Sequence, residues 1–281
     1  MPLYRSPLGK SASIAILLLA TLVQPAIAQN ANFQSVTYAD LADLADSASV
    51  VVHANVRSMA RVEDSRAPGL RPGHGRFYMK GKTRALLFGG QAIGDSLAWL
   101  VDLPLDSRGK PPALKKRDVI VFARPVSGRP GELQLVGRDS QILYSEAALA
   151  QLRPILGEMA APDAPPPITG VREVIHVPGN LAGAGETQIF LTTADNSAAS
   201  ITVRHQPGTA PQWGVSFSEL VAAANNGPQR DTLAWYRLAC FLPNTLRPGV
   251  NLSTSAMDRQ QALADYQMVL GELGTCPRSR R

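Results

Sequence analysis

Residues 49–57 read SVVVHANVR, and the order of their side chains decides the architecture. Val50, Val52, Ala54 and Val56 fall on one side of an extended chain, while Val51, His53, Asn55 and Arg57 fall on the other. Side chains alternate across a strand, so the first set marks a buried face. Further extended stretches follow at short intervals: RFYMKGKTRALLFGG (76–90), SLAWLVDLPL (96–105), RDVIVFARPV (117–126) and GELQLVGRDSQILYS (131–145). The third of these is apolar almost throughout, which predicts a central strand. TYADLADLADSA (37–48) reads as a short helix before the first strand, with Leu41 and Leu44 on one side. SEAALAQLRPILGEM (145–159) reads as a helix after the last, with Ser145 and Glu146 where a cap and an early acid are favoured. Five or so short strands closed by a helix predict a small antiparallel β-barrel of the OB-like kind over residues 32–158.

The stretch 159–169 is rich in proline: Pro162, Pro165, Pro166 and Pro167 stand close together, with Pro154 just before. It predicts an extended, stiff linker and a domain boundary. Beyond it VREVIHV (171–177), TQIFLTT (187–193), SITVRH (200–205) and QWGVSF (212–217) read as four strands. Three helices are expected after them. The first opens on the capping-box pattern Ser216–Phe217–Ser218–Glu219 ahead of LVAAA. The second contains LAWYRLACFLP (233–243), capped by Asp231 or Thr232. The third is DRQQALADYQMVLGELGTC (258–276), with Gly274 as its C-cap. The fold class is therefore α+β: a barrel-like domain, then a second α+β domain over 170–281 with a small antiparallel sheet.

The N-terminus bears on compartment. Arg5 and Lys10 precede an apolar run from Ser13 to Val23, and Ala26–Ile27–Ala28 offers a small-x-small exit. This reads as a signal peptide over residues 1–28, since the apolar run is short for a bilayer span. Its removal takes two basic residues and no acidic one, lowering the formal net charge from +6 to +4. Cys240 and Cys276 are the two cysteines, and in an exported chain they are expected to pair. The 35 intervening residues correspond to a stabilisation of about 3–4 kcal/mol on the chain-entropy model. A catalytic thiol would need a base, and no histidine lies downstream of either cysteine.

Motifs for chemistry are sparse. Gly94–Asp95–Ser96–Leu97 spells the GDSL of a hydrolase superfamily, but GGQA precedes it where an apolar strand belongs, and no D-x-x-H follows. A serine without a base is not activated, so Asp95 and Ser96 are better read as turn residues. The four histidines, His53, His74, His176 and His205, form no close pair in sequence. His176 and His205 lie on expected strands and would become a metal site only if Glu173 joined them across a sheet. No phosphate-binding glycine pattern occurs, and Asn251–Leu252–Ser253 is an accidental acceptor motif. The expectation is no catalytic, cofactor or metal residues and no bound cofactor.

One feature stands above background. Arg57, Arg61, Arg66, Arg71, Arg76, Lys80, Lys82 and Arg84 face only Glu63 and Asp64 within residues 57–84, and Lys115, Lys116 and Arg117 form a second cluster. If Arg76, Lys80, Lys82 and Arg84 share a barrel face, they make a candidate anion-binding surface.

VDLPLDSRGKPPALKKRDVIVFARPV (101–126), GVREVIHVPGNLAGAGETQIFLTTAD (170–195) and DTLAWYRLACFLP (231–243) resemble a family of uncharacterised secreted proteins of Gram-negative bacteria. The resemblance covers nearly the whole mature chain and implies export and paired cysteines, with no activity attached. Residues 40–145 are more distantly similar to netrin-like and tissue-inhibitor-like OB barrels. Together these readings predict a periplasmic or secreted, non-catalytic binding or structural component of the envelope. The partner expected is an anionic envelope component or another envelope protein, with no nucleic acid and no transmembrane segment after cleavage. The alternatives are a polyanion-binding module using the basic face, and a serine hydrolase at Ser96.

Overall fold

The computed structural model describes Met1, residues 36–218 and residues 227–280. The expected signal peptide and the expected helix over LVAAA (220–224) lie outside the described residues. The chain begins with α1 (Tyr38–Ser47), whose N-terminus is closed by a Thr37/Asp40 capping box. β1 (Val50–Arg61) follows, then β2 (His74–Phe88), β3 (Ser96–Pro104), β4 (Asp118–Pro125), β5 (Glu132–Leu135) and β6 (Gln141–Leu143). β1 hydrogen-bonds β2 along one edge and β4 along the other, and the ring β1–β2–β3–β5–β4 closes on itself. β6 continues along β4 beyond β5.

The barrel was expected to be antiparallel throughout, and it departs from that at one seam. β3 and β5 run parallel, pairing Ala98 with Glu132 and Trp99 with Leu133. The reason is parity: strands that alternate up and down around a closed ring of odd number must meet one neighbour in parallel.

The pleat of β1 serves two cores. Val50, Val52, Ala54 and Val56 point into the barrel with Phe77, Met79 and Trp99. Val51 points outward into a second core with Ile120 and Phe122 of β4. That core also takes Leu41 of α1 and Leu152 and Ile155 of α2 (Glu146–Ala160), a helix capped by Ser145 that runs through Pro154. It continues into the second half of the chain, where β7 (Ile168–Pro178), β8 (Gly185–Thr193), β9 (Ser200–His205) and β10 (Gln212–Ser216) form an antiparallel sheet in the order β10–β9–β8–β7. Val174, Ile189, Ile201, Trp213 and the helices α3 (Leu233–Ala239) and α4 (Ala256–Leu273) complete it.

The proline-rich stretch is packed rather than free. Pro166 is buried, the Pro165 carbonyl accepts the Arg237 Nε–H at 3.0 Å, and the Pro167 carbonyl accepts the backbone N–H of Ala194 at 2.9 Å. Arg237 also donates both Nη groups to Asp46 of α1 at 2.7 and 2.8 Å, and the Tyr236 hydroxyl donates to Asp43 at 2.6 Å. Ser35–Arg281 accordingly forms one compact unit, and the boundary expected at 159–169 is no gap in its core. Cys240 and Cys276 are disulfide-bonded with Cα atoms 5.2 Å apart, joining the end of α3 to the residues just after α4. The C-terminal residues then cross to α1, where Arg278 is bidentate to Asp43, and Ser279 and Arg280 donate backbone N–H groups to Asp40. Among the described residues no helix is long and apolar enough to cross a membrane.

Gly81 shows how tightly the barrel interior is filled. A Cβ there would lie 2.7 and 2.9 Å from the ring of Trp99, which is buried and fixed by its Nε1–H donating to Gln141 Oε1 at 2.8 Å. Gly81→Ala is expected to lower the unfolding free energy by about 1–3 kcal/mol in urea titrations. Gly90→Ala, whose Cβ meets nothing, should stay within about 0.5 kcal/mol of the parent. Equal losses at the two positions would contradict this packing.

Candidate anion-binding face

α1 packs against β4, and the outward residues Val51, Ile120 and Phe122 are buried in the second core, while Arg57 and Arg124 towards the strand ends are exposed. The outer sides of β2 and β3 stay wet at Tyr78, Lys80 and Lys82 and at Ser96 and Leu100. Along β2 burial alternates residue by residue from Gly75 to Lys82, with Gly75, Phe77, Met79 and Gly81 inside and Tyr78, Lys80 and Lys82 exposed. Lys80 and Lys82 thus point the same way with Cα atoms roughly 7 Å apart. Lys80 lies opposite Ser58 on β1 and Ala98 on β3, and Tyr78 lies opposite Leu100. Tyr78 and Leu100 are 36% and 48% exposed, giving an apolar margin beside the cations. The Lys80 ammonium lies 5.9 Å from the Tyr78 ring centroid.

A shallow groove of about 760 Å³ runs over this face. Its floor is β2 and β3, one side is Arg57 and Ser58 of β1, and the other is the loop entering β5, Pro130–Glu132. Arg57 reaches it because the β1–β2 register slips between Val56 and Ser58. The extra residue of a bulge leaves the regular alternation, and its side chain is re-aimed. The second basic cluster comes alongside: Lys116 donates its backbone N–H to the Val56 carbonyl at 2.8 Å, and Val56 donates to the Arg117 carbonyl at 2.9 Å. Lys115, Lys116 and Arg117 are all exposed there. Among the described residues Arg57, Lys80 and Lys82 take part in no ion pair; the carboxylates of Asp95 and Glu132 line the same groove, and Glu132 is paired with Arg129 at 3.2 Å.

The four residues singled out from sequence therefore separate. Lys80 and Lys82 line the groove. Arg76 donates Nε and Nη2 to the two oxygens of Asp102 at 2.7 and 2.9 Å, and Asp102 is 1% exposed. These hydrogen bonds raise the Arg76 pKa above its ordinary value and commit its charge to the barrel. Arg84 falls where the β1–β2 register slips again, between His53 and Ala54, and lies 3.7 Å from Asp118. Arg57 belongs to the groove, although its place in the simple alternation of β1 gave no sign of it. The loop residues Pro130–Glu132 carried no signal of their own, since only the parallel seam brings them beside β3.

The remaining candidates resolve as follows. Ser96 starts β3 at the edge of the groove, Asp95 accepts the backbone N–H of Thr83 through its carbonyl, and no histidine lines the groove. His176 and His205 do meet, with ring centroids 6.0 Å apart, but Asp265 of α4 joins them and Glu173 does not. His176 Nδ1 faces Thr187 Oγ1 at 2.8 Å and His205 Nε2 faces Asp265 Oδ1 at 2.8 Å, so neither nitrogen converges with the other on a vacant point. Among the described residues no group of three or more His, Cys, Asp and Glu side chains is arranged to hold a metal ion. In the Asn251–Leu252–Ser253 motif, Asn251 donates Nδ2–H to the Arg259 carbonyl, and the Ser253 hydroxyl accepts the His176 backbone N–H.

No protein-family model matches the chain, and no curated protein matches it.

Arg76 and Lys80 are separable by experiment. Arg76→Ala leaves the buried Asp102 carboxylate unpaired and should cost about 3–5 kcal/mol of stability. Lys80→Ala should change stability by less than about 0.5 kcal/mol. Chemical denaturation of the two variants checks this, and a neutral Arg76→Ala would show that the pair is not structural.

Proposed function

We propose that the protein is an exported, disulfide-stapled, non-catalytic binding component of the bacterial envelope, and that its barrel is of the OB type. On this reading the outer β2–β3 face takes an extended anionic ligand, foremost an anionic glycan. The observation that carries it is the coincidence of one groove with three unpaired cations, Arg57, Lys80 and Lys82. Two further features support it. The ring order with its parallel β3–β5 seam agrees with an OB barrel, and OB barrels use the face of strands 2 and 3 and the loop between strands 4 and 5 to bind oligonucleotides and oligosaccharides. Export removes the chain from nucleic acid, which leaves anionic saccharides as the natural occupant. Tyr78 and Leu100 offer apolar surface to sugar rings, while the cations meet carboxylate, sulfate or phosphate groups. The signal-peptide pattern and the disulfide support the export reading.

Retention on immobilised heparin tests the reading. The triple change Arg57→Glu, Lys80→Glu, Lys82→Glu should reduce the slope of log affinity against log salt by about two to three, near one per cation removed. A charge-matched control, Arg153→Glu, Arg172→Glu, Arg247→Glu, alters exposed arginines away from the groove. Equal loss in the two triples, or no loss in either, would overturn the assignment of this face.

A further inference from the structure

The most demanding polar arrangement outside the groove is the cluster between the second sheet and α4. Asp265 is 2% exposed and receives three donors: the Thr187 hydroxyl at Oδ2, and His205 Nε2 at 2.8 Å and Gln261 Nε2 at 2.9 Å at Oδ1. The Thr187 hydroxyl has one proton and gives it to Asp265. Its oxygen must therefore accept from His176 Nδ1–H at 2.8 Å, which fixes the neutral tautomer of His176. The chain His176–Thr187–Asp265–His205 thus ties β7, β8 and β9 to one residue of α4.

The geometry points to an acid-sensitive latch: the His176–Thr187–Asp265–His205 network holds the first half of α4 on the sheet and releases it when His176 becomes doubly protonated. The added proton would sit on Nε2, packed beneath Gly185, where a Cβ built on the glycine would lie 3.0 Å from that nitrogen. The groups facing His176 are mixed. Asp265 and Asp258 on α4 favour its charge, and His205 on β9 opposes it. β8 offers the neutral Thr187, and the segment before α4 offers Ser253, whose hydroxyl is already occupied by the His176 backbone N–H at 2.9 Å. Burial outweighs the two carboxylates and holds His176 below the ordinary 6.5. Because the folded value is lower than the unfolded one, this contribution to stability is complete above about pH 6.5 and is lost as pH falls through the folded value.

Release is confined to one end of the helix. The far end of α4 is held separately: Trp235 Nε1–H donates to the Leu273 carbonyl at 2.9 Å, Trp213 Nε1–H donates to Glu272 at 2.6 Å, and Cys276 is bonded to Cys240. The half bearing Gln261 and Asp265 is tied to the segment before it, through Asn251 Nδ2–H to the Arg259 carbonyl at 2.9 Å and the Tyr266 hydroxyl to the Pro243 carbonyl at 2.6 Å, while Asp265 supplies its polar tie to the sheet, so on this reading it opens as a local unit with that segment.

Hydrogen exchange of the full chain with its disulfide intact tests the latch, at about pH 7.5 and about pH 5 with rates corrected for intrinsic exchange. Protection of residues 256–266 should fall at least roughly tenfold at the lower pH, while residues 268–273 and the barrel strands keep theirs. His176→Asn retains a donor for Thr187 and cannot titrate, so it should abolish the acid response. Unchanged protection in the parent, simultaneous loss in the barrel, or an undiminished response in His176→Asn would overturn the proposal. Should that variant fail to fold, the ring protons of His176 in the parent decide. They should titrate below 6.5, with the amides of 256–266 shifting at the same midpoint. A midpoint at or above 6.5, or silent α4 amides, would overturn it equally.

Discussion

The structure depends on β1 being hydrogen-bonded along both edges. Pairing with β2 on one side and β4 on the other closes the sheet, and residues 51–55 have strand partners on both edges. Closure makes the pleat binding on every strand, because a residue is then either inside a small filled barrel or outside it. Val50, Val52, Ala54 and Val56 have no alternative to the interior, nor Val51 to the exterior. Ring closure with five strands also demands one parallel seam, and the β3–β5 pairing brings the loop before β5 against the exposed side of β3. The groove exists because the seam and the wet outer face of β2 meet there.

Outside the barrel, the second core is shared by the two halves of the chain. Its apolar surface is drawn from β1 and β4, from α1 and α2, and from the whole second sheet. The polar ties crossing it are fixed at both ends: Arg237 is nearly buried and satisfied by Asp46 and the Pro165 carbonyl, and Asp40 is held by the Thr37 cap and the C-terminal residues. Hydrogen bonds from Ser279, Thr37 and Arg280 hold the Asp40 carboxyl below the usual range even though its burial acts the other way. Such groups specify an arrangement more than they stabilise it, because any competing packing would leave them buried and unpaired. The disulfide adds a covalent constraint where α3 and the end of α4 meet.

What was legible in the sequence was what local pattern controls. The alternation in 49–57 marked both faces of β1, the almost wholly apolar stretch 117–126 marked a strand buried on both sides over residues 119–123, and Gly274 and one of the two cap candidates Asp231 and Thr232, namely Thr232, marked helix ends. The groups that decide the candidate site depend on partners far along the chain. Arg76 looked equivalent to Lys80 because Asp102, 26 residues away, becomes its partner only after β2 and β3 pair. Arg57 and Arg84 were displaced from their expected neighbours by slips in the β1–β2 register, which no periodicity announces. His176 and His205 were correctly seen as potential neighbours across a sheet, yet their carboxylate came from α4, on the helix packed against β7. The proline-rich stretch looked like a linker because its composition is the same whether its carbonyls meet water or Arg237.

The central claim is that the barrel leaves one cationic groove open on β1, β2, β3 and the loop before β5. Amide chemical-shift mapping with a short heparin oligosaccharide tests it most directly. The account predicts that shifts concentrate at Arg57, Ser58, Tyr78 to Lys82, Ser96 to Ala98 and Pro130-flanking amides, and that the second sheet stays unmoved. Shifts spread over the arginines of both halves, or centred on the second sheet, would contradict it.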